Sequence, residues 1–336
     1  MHDHPVSILE NPVNPAPTKV PEPREITTEP RFSDRVFRAV VTSGGFISLV
    51  VLGLISFFLL SNGLSIFRSE GLSFVTSFEW VAESIGDGTE ASYGIGAMLY
   101  GTLVIGFIGL FFGFPLALGA ALFLSYYAPE WLKKPMVLVI DVMAAIPSLV
   151  IGLWGFFVLM PQAEEWARLI NKYFGFIPIF SMPGDFYSRS PFIAGLVLAI
   201  MIIPIITSIS REVFAQTPLD RIQAAYALGA TRWSMIRAVV IPYGKGGVIG
   251  GAMLGLGRAI GETVAVYTVL NLVYDVYPQI LLSAGGSVAS LIVNKFSEAG
   301  PLELKALMAA GFVLFMVTLV VNFFANAIIS RTARQG

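Results

Sequence analysis

Few side chains in this sequence could do chemistry in an apolar setting. Arg258 and Glu262 stand four residues apart within one long apolar stretch, and Asp141 stands within another. A charge at the centre of a membrane span costs about 2.5–3.5 kcal/mol on insertion scales, so each of these groups needs a reason to be there. Four residues apart on a helix, Arg258 and Glu262 share a face and can neutralise each other. One reading is an internal ion pair that only lets the span insert. The surrounding glycines favour a path: at 100° per residue, Gly247, Gly251, Gly255, Arg258 and Glu262 fall within an arc of about 80°. Small residues there allow close helix packing or leave space beside the guanidinium, setting the pair in an interface or cavity away from lipid. Arginine's planar fork matches two oxygens of a tetrahedral oxyanion, whereas lysine supplies a point charge. A carboxylate only accepts hydrogen bonds, so hydrogen phosphate satisfies Glu262 where fully ionised sulfate does not. Asp141 lies near one end of its span and reads equally as an acid reaching interfacial water or as a functional group.

Most other chemistry is excluded. The chain contains no cysteine, which removes thiol nucleophiles, thiolate metal sites and disulfides. Its two histidines, His2 and His4, sit at the start of the chain, so the apolar body has no histidine base or zinc ligand. No catalytic residue, metal site or cofactor is expected. Lys+Arg 21 against Asp+Glu 22 leaves a net charge of -1, which gives no basic field for nucleic acid. With 336 residues, 55% hydrophobic and 13% charged, and a mean hydropathy of +0.76, the chain has too little polar surface to close around a soluble core.

The elements that must position these groups are six apolar stretches, approximately 39–60, 97–126, 136–160, 192–210, 247–273 and 306–329. Each is long enough, at 1.5 Å per residue, to cross about 30 Å of hydrocarbon. The expected fold is all-α and integral to the bilayer, with six transmembrane helices. Gly113 and Pro115 predict a kink or two linked half-helices in the second. Residues 1–33 hold seven of the 20 prolines in their first thirty positions and few large apolar groups, and read as a disordered tail ahead of a membrane domain at 34–336. With the N-terminus inside, fourteen Lys and Arg fall on inner segments and six on outer ones, Arg258 being the intramembrane one. Both ends are therefore expected in the cytoplasm.

The segment 211–245 is the one long polar-interrupted connector on the inner side after the tail. Pro218 and Asp220 are start signals for a helix through Ile222, Ala225, Tyr226 and Leu228, which Gly229 breaks. A second short helix through Trp233, Ile236 and Val240 is expected to end at Pro242. Such a helix pair either seats in a groove of another protein or rests on lipid headgroups.

Gln223-Ala224-Ala225, three residues, Gly229, nine residues and Val239-Val240-Ile241-Pro242 resemble the EAA loop of ABC importer permeases in full spacing, with Gln223 in place of the usual glutamate. GLGRAIGETVAV (255–266), IPSLVIGLWGFFVLMP (146–161) and AYALGATRW (225–233) are similar to segments of phosphate ABC permeases of the PstC type. Sulfate permeases carry a related run with an aromatic residue where this sequence has Thr263. The resemblance covers roughly 35–330 and implies the type I ABC importer permease fold. It implies a PstA-like second permease, two copies of a cytoplasmic ABC ATPase, an outer phosphate-binding protein, and phosphate as cargo, with the chain in the inner membrane bilayer. ATP hydrolysis belongs to the partner, since this chain lacks a Gly-x-x-x-x-Gly-Lys-Ser/Thr loop. Arg258, Glu262 and Thr263 are expected along the substrate path, Gln223, Ala224, Ala225 and Gly229 at the ATPase, and Gly247, Gly251 and Gly255 in close helix packing. Pro147 and Trp154 are expected to pack. A sulfate permease, or a secondary transporter relaying protons through Asp141 and Glu262, is the competing reading.

Overall fold

The computed structural model describes residues 32–82 and 91–333. The expectations placed on the Pro-rich segment up to residue 31 and on the end of the chain lie outside the described residues. Residues 32 and 33, expected in the tail, instead open helix α1 (Phe32–Ser69). The rest is α2 (Ser73–Thr76), a two-stranded antiparallel hairpin β1–β2 (Trp80–Val81 and Ser92–Tyr93), α3 (Gly96–Leu122), α4 (Glu130–Ala145), α5 (Ser148–Trp154) and α6 (Met160–Phe174). Then follow α7 (Pro191–Ala215), α8 (Leu219–Ala227), α9 (Arg232–Met235), α10 (Ile241–Ile260), α11 (Val264–Val269), α12 (Val288–Phe296) and α13 (Pro301–Ala333). Among the described residues, five helical segments are long and apolar enough to cross a membrane, and a bent pair supplies a sixth candidate.

Residues 32–52 of α1 are exposed along their whole length. In the remaining unit, α7 is the axis of the core. Ile193, Val197, Leu198, Ile202 and Ile206 of α7 are fully buried against α3, α5 and α11. Glycine makes these approaches close. A methyl at Gly113 of α3 would lie 2.9 Å from Ile202, and one at Gly109 would lie 3.1 Å from Leu198. Gly195 of α7 returns the favour by receiving Ile108 of α3. Such small-residue seams bring backbones together where lipid supplies no hydrophobic drive. Thr207 crosses the seam too, its hydroxyl donating to the Ala117 carbonyl at 3.3 Å.

Three π-helical turns, Phe123–Tyr127, Gly155–Leu159 and Ile236–Val240, each end two residues before a proline, at 129, 161 and 242. A proline ring collides with the carbonyl four residues back, which here belongs to the middle residue of each turn: Ser125, Phe157 and Ala238. Widening that turn relieves the collision, and the N–H just before each proline reaches back to Phe123, Gly155 or Ile236. Pro242 therefore does not end the helix begun at Arg232, contrary to the expectation from sequence. The helix continues unbroken to Ile260. Pro115 likewise leaves α3 continuous.

The third expected span, 136–160, is a corner. α4 and the α5–α6 segment meet at 98° because Pro147 holds Ile146 extended, at φ -64° and ψ 129°. Trp154, expected to pack, is 43% exposed. The fifth expected span, 247–273, is also broken: α10 stops at Ile260, α11 occupies only six residues, and Leu270 is extended.

At the end of the bundle away from α8, Trp80 donates through its indole N–H to the buried Glu303 carboxylate at 2.9 Å, tying the hairpin to α13. Beside it the Tyr274 hydroxyl is pushed up to about 12, by burial first and by the Glu303 charge second. Thr102 of α3 is 3% exposed. It accepts from the Val288 N–H at 3.0 Å while donating to the Met98 carbonyl at 2.6 Å, and so fixes the start of α12 on α3. Replacing Thr102 by Val keeps the shape but orphans the Val288 N–H, a cost of about 1–3 kcal/mol. The detergent-solubilised Thr102→Val protein is expected to melt several degrees lower by intrinsic fluorescence, with Thr102→Ser close to the parent.

Candidate functional site

The glycines of α10 face α7. A methyl at Gly247 would strike Val213, one at Gly251 would lie 3.1 Å from Ile209, and one at Gly255 would lie 2.8 Å from Ile206. This i, i+4 ridge slips round the helix by about 40° per step, so at the level of Arg258 the contact line has moved about a quarter turn from the guanidinium. The glycine stripe and the charge therefore part company, correcting the single common face drawn from the helical wheel. The other flank is taken by α13, where Asn322 lies 3.2 Å from a methyl built on Gly257. Arg258 emerges exposed between the two. Leu254, Val264 and Tyr267, at 57%, 36% and 44% exposure, continue the same free strip past the helix end.

Glu262 is not on that helix. Gly261, Glu262 and Thr263 form the break between α10 and α11, and Glu262 and Thr263 are half-buried. Glu262 Oε1 accepts from the Ala265 N–H at 3.3 Å, so it closes the first turn of α11 and does not form an ion pair with Arg258. The wheel assumed an uninterrupted ladder, and the break at Gly261 removes it. Thr263 donates to the Gly261 carbonyl at 3.3 Å, tightening the same turn. Asp141 is exposed in the last part of α4, whose main contact is α7. Among the described residues no acidic group pairs with this guanidinium, which stands on an apolar strip of a helix long enough to cross a membrane, and a charge in that setting has to meet water or other polar groups.

The connector after α7 is built by caps. Gly229 has φ +78°, the left-handed conformation that glycine adopts most cheaply. Its N–H donates to the Tyr226 carbonyl at 2.9 Å, and the Ala230 N–H donates to the Ala225 carbonyl at 3.1 Å. Those two bonds are a Schellman motif, with Ala225 and Ala230 as its apolar contact. Thr231 then caps α9, accepting from the Ser234 N–H at 3.2 Å. Ile222 and Ala225 pack on Phe214, Met235 and Val240. Gln223, Ala224 and Gly229 are exposed beside Leu219 and Leu228, the latter at 89%. Arg232 anchors the pair, its guanidinium donating to the Tyr126 carbonyl at 3.0 Å while lying 5.4 Å from the centre of the Tyr127 ring. Tyr126 in turn donates to the Phe214 carbonyl at 3.1 Å. Sequence reasoning missed Tyr126, Thr231 and Arg232. The Gly-Ala-Thr run after an amphipathic turn carried the signal for the second of them.

The chain is a bundle of membrane-length helices with a free apolar strip carrying one guanidinium and a capped helix pair exposed at one end. Solved ABC importers share the fold. A bacterial alginate transporter in complex with its alginate-bound periplasmic protein matches 90% of this chain and 98% of its own at TM-score 0.56 and 16% identity. The inward-facing MetNI methionine transporter matches 70% and 94% at TM-score 0.52 and 16% identity. Residues 109–335 match the family described as binding-protein-dependent transport system inner membrane component, and the chain belongs to that family. Curated relatives include the phosphate transport system permease protein PstC 2 of Mycobacterium tuberculosis, 40% identical over 89% of this chain and 92% of that protein. PstC of Pasteurella multocida is 40% identical over 80% and 83%, and PstC of Xylella fastidiosa is 37% identical over 90% and 92%.

The open space around Gly229, where nothing lies within 4 Å of an added methyl, isolates the backbone effect of a substitution there. Gly229→Ala is expected to cost about 1 kcal/mol through the left-handed conformation alone. Amide exchange across 219–231 is expected to quicken while that of α7 is unchanged.

Proposed function

We propose that this chain is one permease subunit of an ATP-driven importer of inorganic phosphate in the inner membrane. The observation that carries the reading is Arg258: a permanently charged fork, without a counter-charge among the described residues, on the free strip of a membrane-length helix beside a helix break. A second, PstA-like permease covers that strip and completes the path. Phosphate transport relatives over nine-tenths of the chain support the cargo, and the capped pair α8–α9 supports docking of a separate ATPase.

In this reading an outer phosphate-binding protein delivers the anion, and Arg258 offers two N–H groups to two phosphate oxygens. Glu262 has one oxygen engaged by α11, which leaves the other to accept the proton of hydrogen phosphate. Thr263 follows Glu262 in sequence and shapes the turn. Two copies of the ATPase close against the Gln223–Gly229 face on the cytoplasmic side, where both chain ends also lie. Their closure switches the path between inward-facing and outward-facing states.

The test is uptake in vesicles holding this chain with its partner permease, ATPase and binding protein. Arg258→Lys keeps the charge and loses the fork, and is expected to lower ATP-driven phosphate uptake about 10–100-fold, the scale of one charge-assisted hydrogen bond. Retained uptake would remove Arg258 from the path. Glu262→Gln keeps the acceptor for Ala265 and loses the charge, so the assembly is expected to stay folded while its preference for phosphate over sulfate shrinks.

A further inference from the structure

A cavity of about 360 Å³ lies at the far end of α7 from the connector, between the turn around Phe156, α11 and α12. Six of its lining residues are polar, namely Arg189, Tyr267, Thr268, Asn271, Ser290 and Asn294, and none is acidic. Arg189 stands out. Among the described residues it is the one non-glycine with positive φ, at 49°, a conformation that persists where its surroundings enforce it. Here the Arg189 carbonyl accepts from the Asn271 N–H at 3.4 Å, and the next residue, Ser190, caps α7. The guanidinium lies 5.1 Å from the centre of the Phe156 ring and makes no ion pair among the described residues. Asn271 is itself held, its amide donating to the Ser283 hydroxyl at 3.0 Å. An exposed cation resting on an aromatic ring, neutral polar neighbours and no carboxylate on the wall suit a small oxyanion.

The cavity and Arg258 share one surface. Tyr267, which lines the cavity, also belongs to the exposed strip that runs back through Val264 to Arg258. From Tyr267 to Glu262 is five residues, about 8 Å if helical.

We infer that the Arg189 cavity is a receiving subsite for the transported tetrahedral oxyanion, occupied before the anion reaches Arg258. This rests on the importer reading above. Hydrated phosphate and a lipid phosphate headgroup offer the same chemistry, and the experiment separates them.

The absence of cysteine from the chain makes Asn294→Cys a single reporter inside the cavity. It is to be measured in the assembled transporter in phosphatidylcholine vesicles, against an anionic sulfonatoethyl and a cationic aminoethyl methanethiosulfonate. The anionic reagent is expected to react about tenfold faster, as focusing by a lone cation predicts, and inorganic phosphate is expected to slow it. Adding Arg189→Gln is expected to abolish both effects, and Arg189→Lys to restore the charge preference with weaker protection. Leu153→Cys, also on the cavity wall, serves if the first variant does not assemble. Equal rates for the two reagents with no effect of phosphate overturn the inference. So does protection that appears only when phosphatidylglycerol is added to the vesicles. Protection by phosphate in an assembly that takes up no phosphate would leave the subsite standing and sink the importer reading instead.

Discussion

α7 spends most of its surface on its own chain, and the rest of the molecule follows from that. Two-thirds of its most apolar window is buried, because α3 and α10 both approach it through glycines and both bring side chains of α7 into the gaps that glycine leaves. In a bilayer such seams are where close contact is possible, since lipid tails are as apolar as leucine and give no reason for helices to meet. A helix packed in this way leaves little of its surface to face anything else. α10 is held by α7 but not enclosed by it, with one flank on α7, the other on α13, and a strip between them left free, and it is along this strip that the proposed path runs.

The same geometry explains why one charge can be tolerated. Arg258 falls on the free strip because the glycine ridge winds away from it, not because glycine surrounds it. Glu262 is spared for a different task by the break at Gly261. The two residues are four apart in number, yet one ends a helix and the other begins the next, so among the described residues the charge of the first is left without an ion pair.

Much of this was legible in sequence. The apolar stretches located five spans, and the spacing from Gln223 to Pro242 identified the connector, whose turn depends on a single residue type at Gly229. What escaped was anything set by contacts between helices. The apolar pattern runs on through 260–273, so nothing in it marks the end of α10. The prolines predict a kink or two half-helices at 115, where α3 is one continuous helix, and a helix end at 242, where a widened turn absorbs the ring, while Pro147 falls inside an expected span, where Ile146 is extended and the chain turns a corner. Trp154 looked like packing material and is turned outward. The quarter-turn separation between Arg258 and the glycine seam could be found only once α7 was known to be the neighbour.

The unbroken helix from Arg232 to Ile260 has a mechanical consequence. It holds 29 residues, about 43 Å of rod, with the connector hinged on one end and the guanidinium near the other. Gly247, wedged against Val213, divides it into arms of about 22 Å and about 16 Å. Such a rod is a lever with its fulcrum off centre. A tilt that displaces Arg232 sideways swings Arg258 in the opposite sense through about three-quarters of that distance, with no change in the helix itself.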